Sequence, residues 1–164
     1  MTRLAARWAL ARLGPPAGSF MILILSAISL QRRLDSGTPK LTLYELPRFA
    51  HEQLGMNGLL LPTSMLAGAD IAQVDKLRDS ADKAGCPCLA LMESTPQPLG
   101  RDDDLSEAAV ERMLRVMQAA SRLGCSSAGV PIEATDDEDS LSLAAENCKR
   151  LLERADRLEI NVLI

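Results

Sequence analysis

A helix-like segment that ends at glycine and passes into a short apolar run occurs three times in this chain. The glycines are Gly55, Gly85 and Gly124, and a fourth copy without glycine leads into Ile160–Ile164. Glycine just past a helix supplies the left-handed residue that ends it. Each copy therefore predicts a helix that gives way to a strand.

The spacing of the apolar runs predicts how these strands pair. They begin near residues 22, 58, 87, 127 and 160, roughly 30–40 residues apart, which is the length of a strand–helix–strand crossover. Nearly continuous apolar runs are typical of parallel strands buried on both faces. The predicted strands are Ile22–Leu25 (within a first buried strand Met21–Ser26), Gly58–Leu61, Cys88–Leu91, Ser127–Ile132 and Ile160–Ile164.

Four amphipathic helices are predicted between and after these strands, each with one apolar face, as expected of a layer that covers a sheet. Asp70 and Gln73 have the spacing of a helix cap and its third-position partner, and Thr42 and Glu45 have the same pattern. The predicted helices are Thr42–Leu54 (or a later start at Pro47), Asp70–Ala84, Asp104–Leu123 and Ser140–Leu158.

This alternation predicts an α/β fold and leaves two architectures, an open doubly wound sheet and a (β/α)8 barrel. No Gly-x-Gly-x-x-Gly or phosphate-binding-loop motif follows any strand, which argues against a nucleotide-binding open sheet. A complete barrel needs about 250 residues. The prediction is therefore a partial (β/α)8 TIM barrel of about five parallel strands and four helices.

Composition excludes several classes of partner. The net charge of −4 and the pI near 5.1 argue against a nucleic-acid-binding surface, and 2% aromatic residues cannot build a stacking platform. The apolar run Phe20–Ile28 is too short to span a bilayer. We therefore expect no nucleic-acid partner and no membrane partner.

With a single histidine, the cysteines cannot build a Cys/His metal cluster. We expect them to be buried free thiols, which are typical of the reducing cytoplasm, and we therefore expect a cytoplasmic location. The cysteines are Cys86, Cys88, Cys125 and Cys148.

Residues 1–20 differ from the rest, since they carry three arginines and no acidic residue. A basic start before an apolar run is also typical of a signal peptide. Gly14–Gly18 separates the two, however, so we interpret residues 1–20 as a disordered or mis-assigned leader and residues 21–164 as the barrel part.

Several segments resemble sugar phosphate isomerase/epimerase-like proteins of the xylose-isomerase-like (AP endonuclease family 2) TIM-barrel superfamily. The similarity extends over about residues 21–164. The segments are Leu43–Ala50 leading into Leu54–Gly58, then Leu61–Leu66 and Ala84–Leu89.

The resemblance implies a (β/α)8 barrel with a divalent cation (Mn, Mg, Co or Zn) at the carboxyl ends of its strands. The cation would polarise a sugar or sugar phosphate while acidic residues move a proton between neighbouring carbons. A metal-binding Glu typically follows the fifth strand, and here Asn161–Ile164 resembles that strand without the Glu. No metal ligand is carried over. Gly58–Leu61 also lacks a Glu found in many relatives, and Glu93–Thr95 stands where a His often follows the third strand.

Loops that follow strands carry the chemistry of a parallel barrel. Glu93 and Glu133 follow predicted strands, so they are the candidate catalytic residues, as general base or as outer partner of a metal. Ser29, Thr63 and Ser64 are the candidates for binding substrate. The alternative for each acid is a solvated group or one satisfied by the next helix.

Other charged groups at this edge have simpler explanations. The acidic runs Asp102–Asp104 and Asp136–Asp139 precede helices, where carboxylates cap free N–H groups. Four loop cations could meet a substrate phosphate but are more simply solvated, and they are Arg32, Arg33, Lys40 and Arg101.

Three functions remain open. The leading hypothesis is a divalent-metal-dependent isomerase or epimerase acting on a sugar or sugar phosphate, incomplete in this chain. A second is an endonuclease-like hydrolase of the same superfamily, whose basic surface an acidic chain lacks. The third is a non-catalytic half-barrel whose open sheet edge self-associates or needs another partner. The codons after Ile164 would separate the first from the third.

Overall fold

The computed structural model describes residues 22–36, 40–101 and 104–164. The predicted leader, Met21 of the first predicted strand, and Asp102 and Asp103 of the first acidic run lie outside the described residues.

The strands form one parallel sheet in the order β1-β2-β3-β4-β5, so each strand pairs with the next one along the chain. This confirms the predicted α/β class and the parallel pairing. The strands are β1 (Ile24–Ser26), β2 (Gly58–Pro62), β3 (Cys88–Met92), β4 (Ser127–Gly129) and β5 (Asn161–Leu163).

Within the described residues five α-helices accompany the sheet, one more than predicted. The additional one, α1, contains no buried residue, so it lacks the apolar periodicity that predicts a helix. The helices are α1 (Gln31–Ser36), α2 (Leu46–Leu54), α3 (Ile71–Ala84), α4 (Asp104–Leu123) and α5 (Glu138–Arg157). None of them, in the part of the chain that the structure describes, is long and apolar enough to cross a membrane.

Side-chain caps set the starts of two helices, α3 and α5. Asp70 and Gln73 form the predicted capping box of α3, with both bonds at 2.8 Å. The Asp137 carboxylate accepts the Ser140 N–H at 2.8 Å, so α5 begins at Glu138 rather than at Ser140. Thr42 donates its hydroxyl to Glu45 at 2.7 Å in a turn before α2, which begins only at Leu46, close to the alternative start at Pro47.

The three glycines of the repeated pattern adopt the predicted conformation. The φ angles are 68° at Gly55, 65° at Gly85 and 82° at Gly124. Each glycine directly follows the last residue of a helix. A left-handed residue lets the chain leave the helix and return to the sheet.

The helix-facing side of the sheet is the core. Leu59, Leu61, Leu91 and Ala128 are at most 1% exposed and pack in one apolar cluster with residues of α2 to α5. Cys86, Cys88 and Cys125 are also buried there and Cys148 is partly buried, all as free thiols, in agreement with the predicted buried cysteines. Burial raises the pKa of the Cys125 thiol to about 12.

The prediction that every strand is buried on both faces is wrong for the two edge strands. Ile24 in β1 is 50% exposed and Leu163 in β5 is 43% exposed, and Ile22 and Ile164 beside them are more exposed still. Among the strands that the structure describes, each edge strand pairs with a neighbour on one side. Leu60 and Met92 of the central strands are half-buried on this second face, which we call the concave face.

We expect Gly85→Ala to lower the free energy of unfolding by about 1 kcal/mol, because an L side chain is strained at positive φ. A Cβ at Gly85 would have no atom within 4 Å, so a steric clash would not contribute to the loss of stability. Urea unfolding measures the change. Gly85→Asn is the control and should lose less, since Asn tolerates this conformation. An alanine variant as stable as the parent would contradict the interpretation.

Candidate functional site

The carboxyl-terminal edge of the sheet brings two of the predicted loops together. Thr63 and Ser64 follow β2, and Glu93 follows β3 directly. The Thr63 hydroxyl donates to the Glu93 carboxylate at 3.0 Å, and the Ser64 N–H lies 3.4 Å from the Ser94 hydroxyl. Three of the five candidate residues therefore belong to one cluster.

Glu93 is 5% exposed, and both of its carboxylate oxygens have partners. Oε1 accepts the Thr63 hydroxyl and the Ser94 N–H, the latter at 2.7 Å. Oε2 accepts Nε–H of Arg112 in α4 at 2.8 Å. The carboxylate thus joins the ends of β2 and β3 to the helix layer.

Strand alternation explains why Glu93 faces the helices. Leu61 pairs with Leu91 across β2 and β3, and both side chains lie in the core under the helices. Two residues further on, Thr63 and Glu93 lie on that same face because side chains alternate along a strand. Glu93 therefore lies on the side opposite the concave face.

The electrostatics of Glu93 follow from these contacts. Burial raises its pKa, but the bonds from Arg112, the Ser94 N–H and Thr63 outweigh burial, and the pKa of Glu93 lies below its ordinary value. The group is a carboxylate at neutral pH. Its lone pairs are engaged by protein donors, which suits a residue that positions the loops.

Glu133 lies apart from this cluster. The predicted strand Ser127–Ile132 ends at Gly129, and beyond it Ile132 pairs with Gln97 in an isolated bridge. The Glu133 N–H donates to the Gln97 carbonyl at 2.8 Å, while the residue itself is exposed. Its catalytic role stays a prediction.

Ser29 is exposed in the 3-10 turn Ala27–Leu30 that follows β1. Its hydroxyl donates to the Ser26 carbonyl at 2.5 Å, a bond within its own turn. Its role in binding substrate also stays a prediction.

Sequence reasoning missed Arg112 and the groups that fix the loop after β3. Buried Asn147 in α5 donates to the Leu99 carbonyl and to the Ser106 hydroxyl, both at 2.9 Å. The Ser140 hydroxyl donates to the Gly100 carbonyl at 2.8 Å. In a sequence, a polar residue on an amphipathic helix is expected to lie at the surface. Only its burial in the structure shows that it holds the loop after β3.

A cleft of about 550 Å³ opens beside Glu93, between the loops after β2 and β3 on one side and α4 on the other. Its polar lining consists of hydroxyl groups and the Glu93 carboxylate on the loops, and of arginines on α4. These residues are Thr63, Ser64, Glu93, Ser94, Thr95, Arg112 and Arg115.

The described residues do not fit the metal centre that the resemblance implies. Across residues 22–36, 40–101 and 104–164, no three His, Cys, Asp or Glu side chains are grouped so that they could hold a metal ion. The buried carboxylate at this edge, Glu93, has its oxygens engaged by Arg112 and neighbouring donors.

Comparison with solved structures identifies the fold. A D-psicose 3-epimerase from Clostridium cellulolyticum H10, crystallised with D-tagatose, superposes with a TM-score of 0.69 at 16% identity, covering 87% of this chain and 51% of that one. A sugar phosphate isomerase/epimerase from Parabacteroides distasonis gives 0.65 at 15% identity, covering 91% and 52%. The IolI protein with a bound zinc atom gives 0.65 at 14% identity, covering 87% and 50%.

The fold is that of a partial (β/α)8 TIM barrel. The chain spans about half the length of the solved structures it matches. No protein-family model and no curated protein sequence matches the chain. The barrel fold expected from the sequence is thereby confirmed, and an activity does not follow from the fold alone.

We expect Glu93→Gln to lower the free energy of unfolding by about 1–3 kcal/mol at pH 7. The amide NH2 group would replace one of the two acceptor oxygens, and the charge that pairs with Arg112 would be lost. The pKa of Glu93 is lowered on folding, so its stabilisation is present above its unfolded pKa of about 4.3 and is lost as pH falls through the folded value. The difference between parent and variant should shrink below about pH 4.3. Urea unfolding at several pH values measures it.

The matched control is Glu133→Gln, which removes the same charge from an exposed side chain and should change stability by less than about 0.5 kcal/mol. Equal losses in the two variants, or a Glu93→Gln loss that does not vary with pH, would contradict the assigned contacts.

Proposed function

We propose that this chain forms part of a sugar-modifying isomerase or epimerase of the xylose-isomerase-like type. The observation that carries the proposal is the five-stranded parallel sheet, covered by helices on one face and matching about half of two sugar epimerase or isomerase structures. In a complete barrel the uncovered face lines the interior, and the active site lies at the carboxyl ends of the strands.

In this proposal the substrate is a small carbohydrate with or without a phosphate. The structure named for D-psicose 3-epimerase was crystallised with D-tagatose, and the second is named for sugar phosphates. The acidic pI near 5.1 disfavours the endonuclease-like alternative, because a hydrolase of nucleic acid needs a basic surface.

The candidate residues take different roles. Exposed Glu133 and Ser29, which lie in loops that follow strands, are the ones left to contact substrate. Thr63 and Glu93 are positioning residues that hold the ends of β2 and β3 against α4. Ser64, next to Thr63, remains exposed at the same edge.

A divalent cation belongs to this proposal, supported by the zinc-bound IolI structure. Such a cation polarises a carbonyl or hydroxyl oxygen when bound. Because the described residues offer no set of three ligands, we propose that its ligands come from strands other than β1 to β5.

We expect the 164-residue chain alone to interconvert no aldose or ketose, phosphorylated or free, when supplied with Mn²⁺, Mg²⁺, Co²⁺ or Zn²⁺. Isothermal titration calorimetry should likewise detect no stoichiometric cation binding tighter than about 1 mM. A reading frame extended by the remaining strands should bind one cation and turn over a sugar. Turnover by the chain alone, or an extended barrel that binds no cation, would overturn the proposal.

A second candidate function is association through the open edges of the sheet. Apolar side chains are exposed at both edges, Ile22, Leu23 and Ile24 at β1 and Leu163 and Ile164 at β5. Exposed edge strands also present unpaired backbone groups that recruit other strands. This candidate needs no catalytic residue.

If the edges associate, the weight-average mass of the chain should rise with concentration in sedimentation equilibrium. Ile24→Lys and Leu163→Lys should each reduce the association, because a charge on an edge strand opposes pairing. Leu152→Lys, at a comparably exposed apolar position on α5, is the control and should have no effect. A chain that stays monomeric at every concentration would exclude this function.

A further inference from the structure

We propose that the cleft beside Glu93 binds a phosphate monoester, that is, a small molecule that carries a phosphate group. The cleft has a volume of about 550 Å³, within the range of small-molecule pockets. It lies on the helix side of the strand ends, whereas the proposed sugar site lies toward the concave face. Phosphate binding in this cleft does not require the concave face to be an active site.

One wall of the cleft offers hydroxyl groups. Ser64, Ser94 and Thr95 line it and are exposed. The Ser94 hydroxyl interacts with the Ser64 N–H and with the Thr63 hydroxyl only at 3.4 Å, so these are weak contacts. Hydroxyl groups that are weakly held can rotate toward an oxyanion and donate to it.

The opposite wall offers an arginine held in one orientation. Glu93 takes the Nε–H of Arg112 at 2.8 Å, which leaves the N–H groups of both terminal nitrogens outside that bond. The Arg112 side chain is half-exposed and lines the cleft. A guanidinium fixed through Nε presents its remaining donors with little further loss of conformational entropy.

Arg115, one helical turn further along α4, supplies the excess positive charge. Its nearest acidic partner, Glu111, is 3.7 Å away in a solvent-exposed pair, which holds it weakly. Among the described residues that line the cleft, Glu93 is negative and Arg112 and Arg115 are positive, which gives these residues a net charge of +1. A bound anion would neutralise this positive charge.

The chemistry of the lining favours phosphate over other ligands. A cation would need carboxylate oxygens, and those of Glu93 already accept from Thr63, Ser94 and Arg112. None of the described residues that line the cleft is aromatic, so they offer a bare sugar no ring on which to stack. Arginine and hydroxyl donors that converge on one space are suited to the oxygens of a phosphate group.

The test is calorimetric titration of the full chain with inorganic phosphate and with glycerol 3-phosphate, at constant ionic strength maintained with chloride. We expect saturable binding of both at one site. Arg115→Gln should weaken the affinity at least about tenfold, since a charge-assisted hydrogen bond is lost. Ser94→Ala should weaken it by a smaller factor.

The control is Arg154→Gln, which makes the same charge change on the exposed surface of α5 and should leave the affinity unchanged. Arg115→Gln carries the test because its side chain is exposed and is not needed for folding, unlike Arg112. Three results would overturn the proposal: no saturation by either phosphate up to about 10 mM, equal losses in Arg115→Gln and Arg154→Gln, or binding of inorganic phosphate without binding of glycerol 3-phosphate.

Discussion

Burial of one face of the parallel sheet against the helices is the interaction on which the rest of this structure depends. Leu59, Leu61 and Leu91 are almost fully buried on that face, and each square ångström of apolar surface removed from water contributes about 25 cal/mol. The concave face gains much less, since Ile24 and Leu163 are largely exposed. The sheet is thus stabilised from one side, and its other side and both edges remain available to further strands or to a ligand.

The same constraint decides what Glu93 does. Alternation along β3 places it two residues after Leu91, so its side chain enters the space under α4. A carboxylate buried there needs partners to offset desolvation, and Arg112 and Thr63 supply them. An acid at the carboxyl end of a barrel strand is therefore not by position alone a catalytic group. The face on which it lies decides whether it can reach the barrel interior.

Much of the fold could be predicted, because local chemistry determines it. Gly85 ends a helix because it adopts a positive φ angle. Asp70 begins a helix because its carboxylate accepts the N–H of Gln73, three positions further along the chain. The bond between Glu93 and Arg112 could not be predicted, since it depends on how α4 is rotated against the sheet. Ile24 shows the other limit: its apolar side chain predicts burial, but burial needs a covering layer that the described strands do not provide.

Thr63 connects the two sides of the sheet edge. Its backbone directly follows β2, whose Leu60 contributes to the concave face, and its hydroxyl donates to Glu93 beside the cleft. A phosphate bound to the terminal nitrogens of Arg112 would leave the Nε–H bond to Glu93 in place, so the carboxylate that Thr63 faces would keep its partner. Thr63 is buried, whereas its neighbour Ser64 is exposed at the same edge and lines the cleft. The cleft and the concave face therefore lie on opposite sides of the sheet, and both adjoin the end of β2.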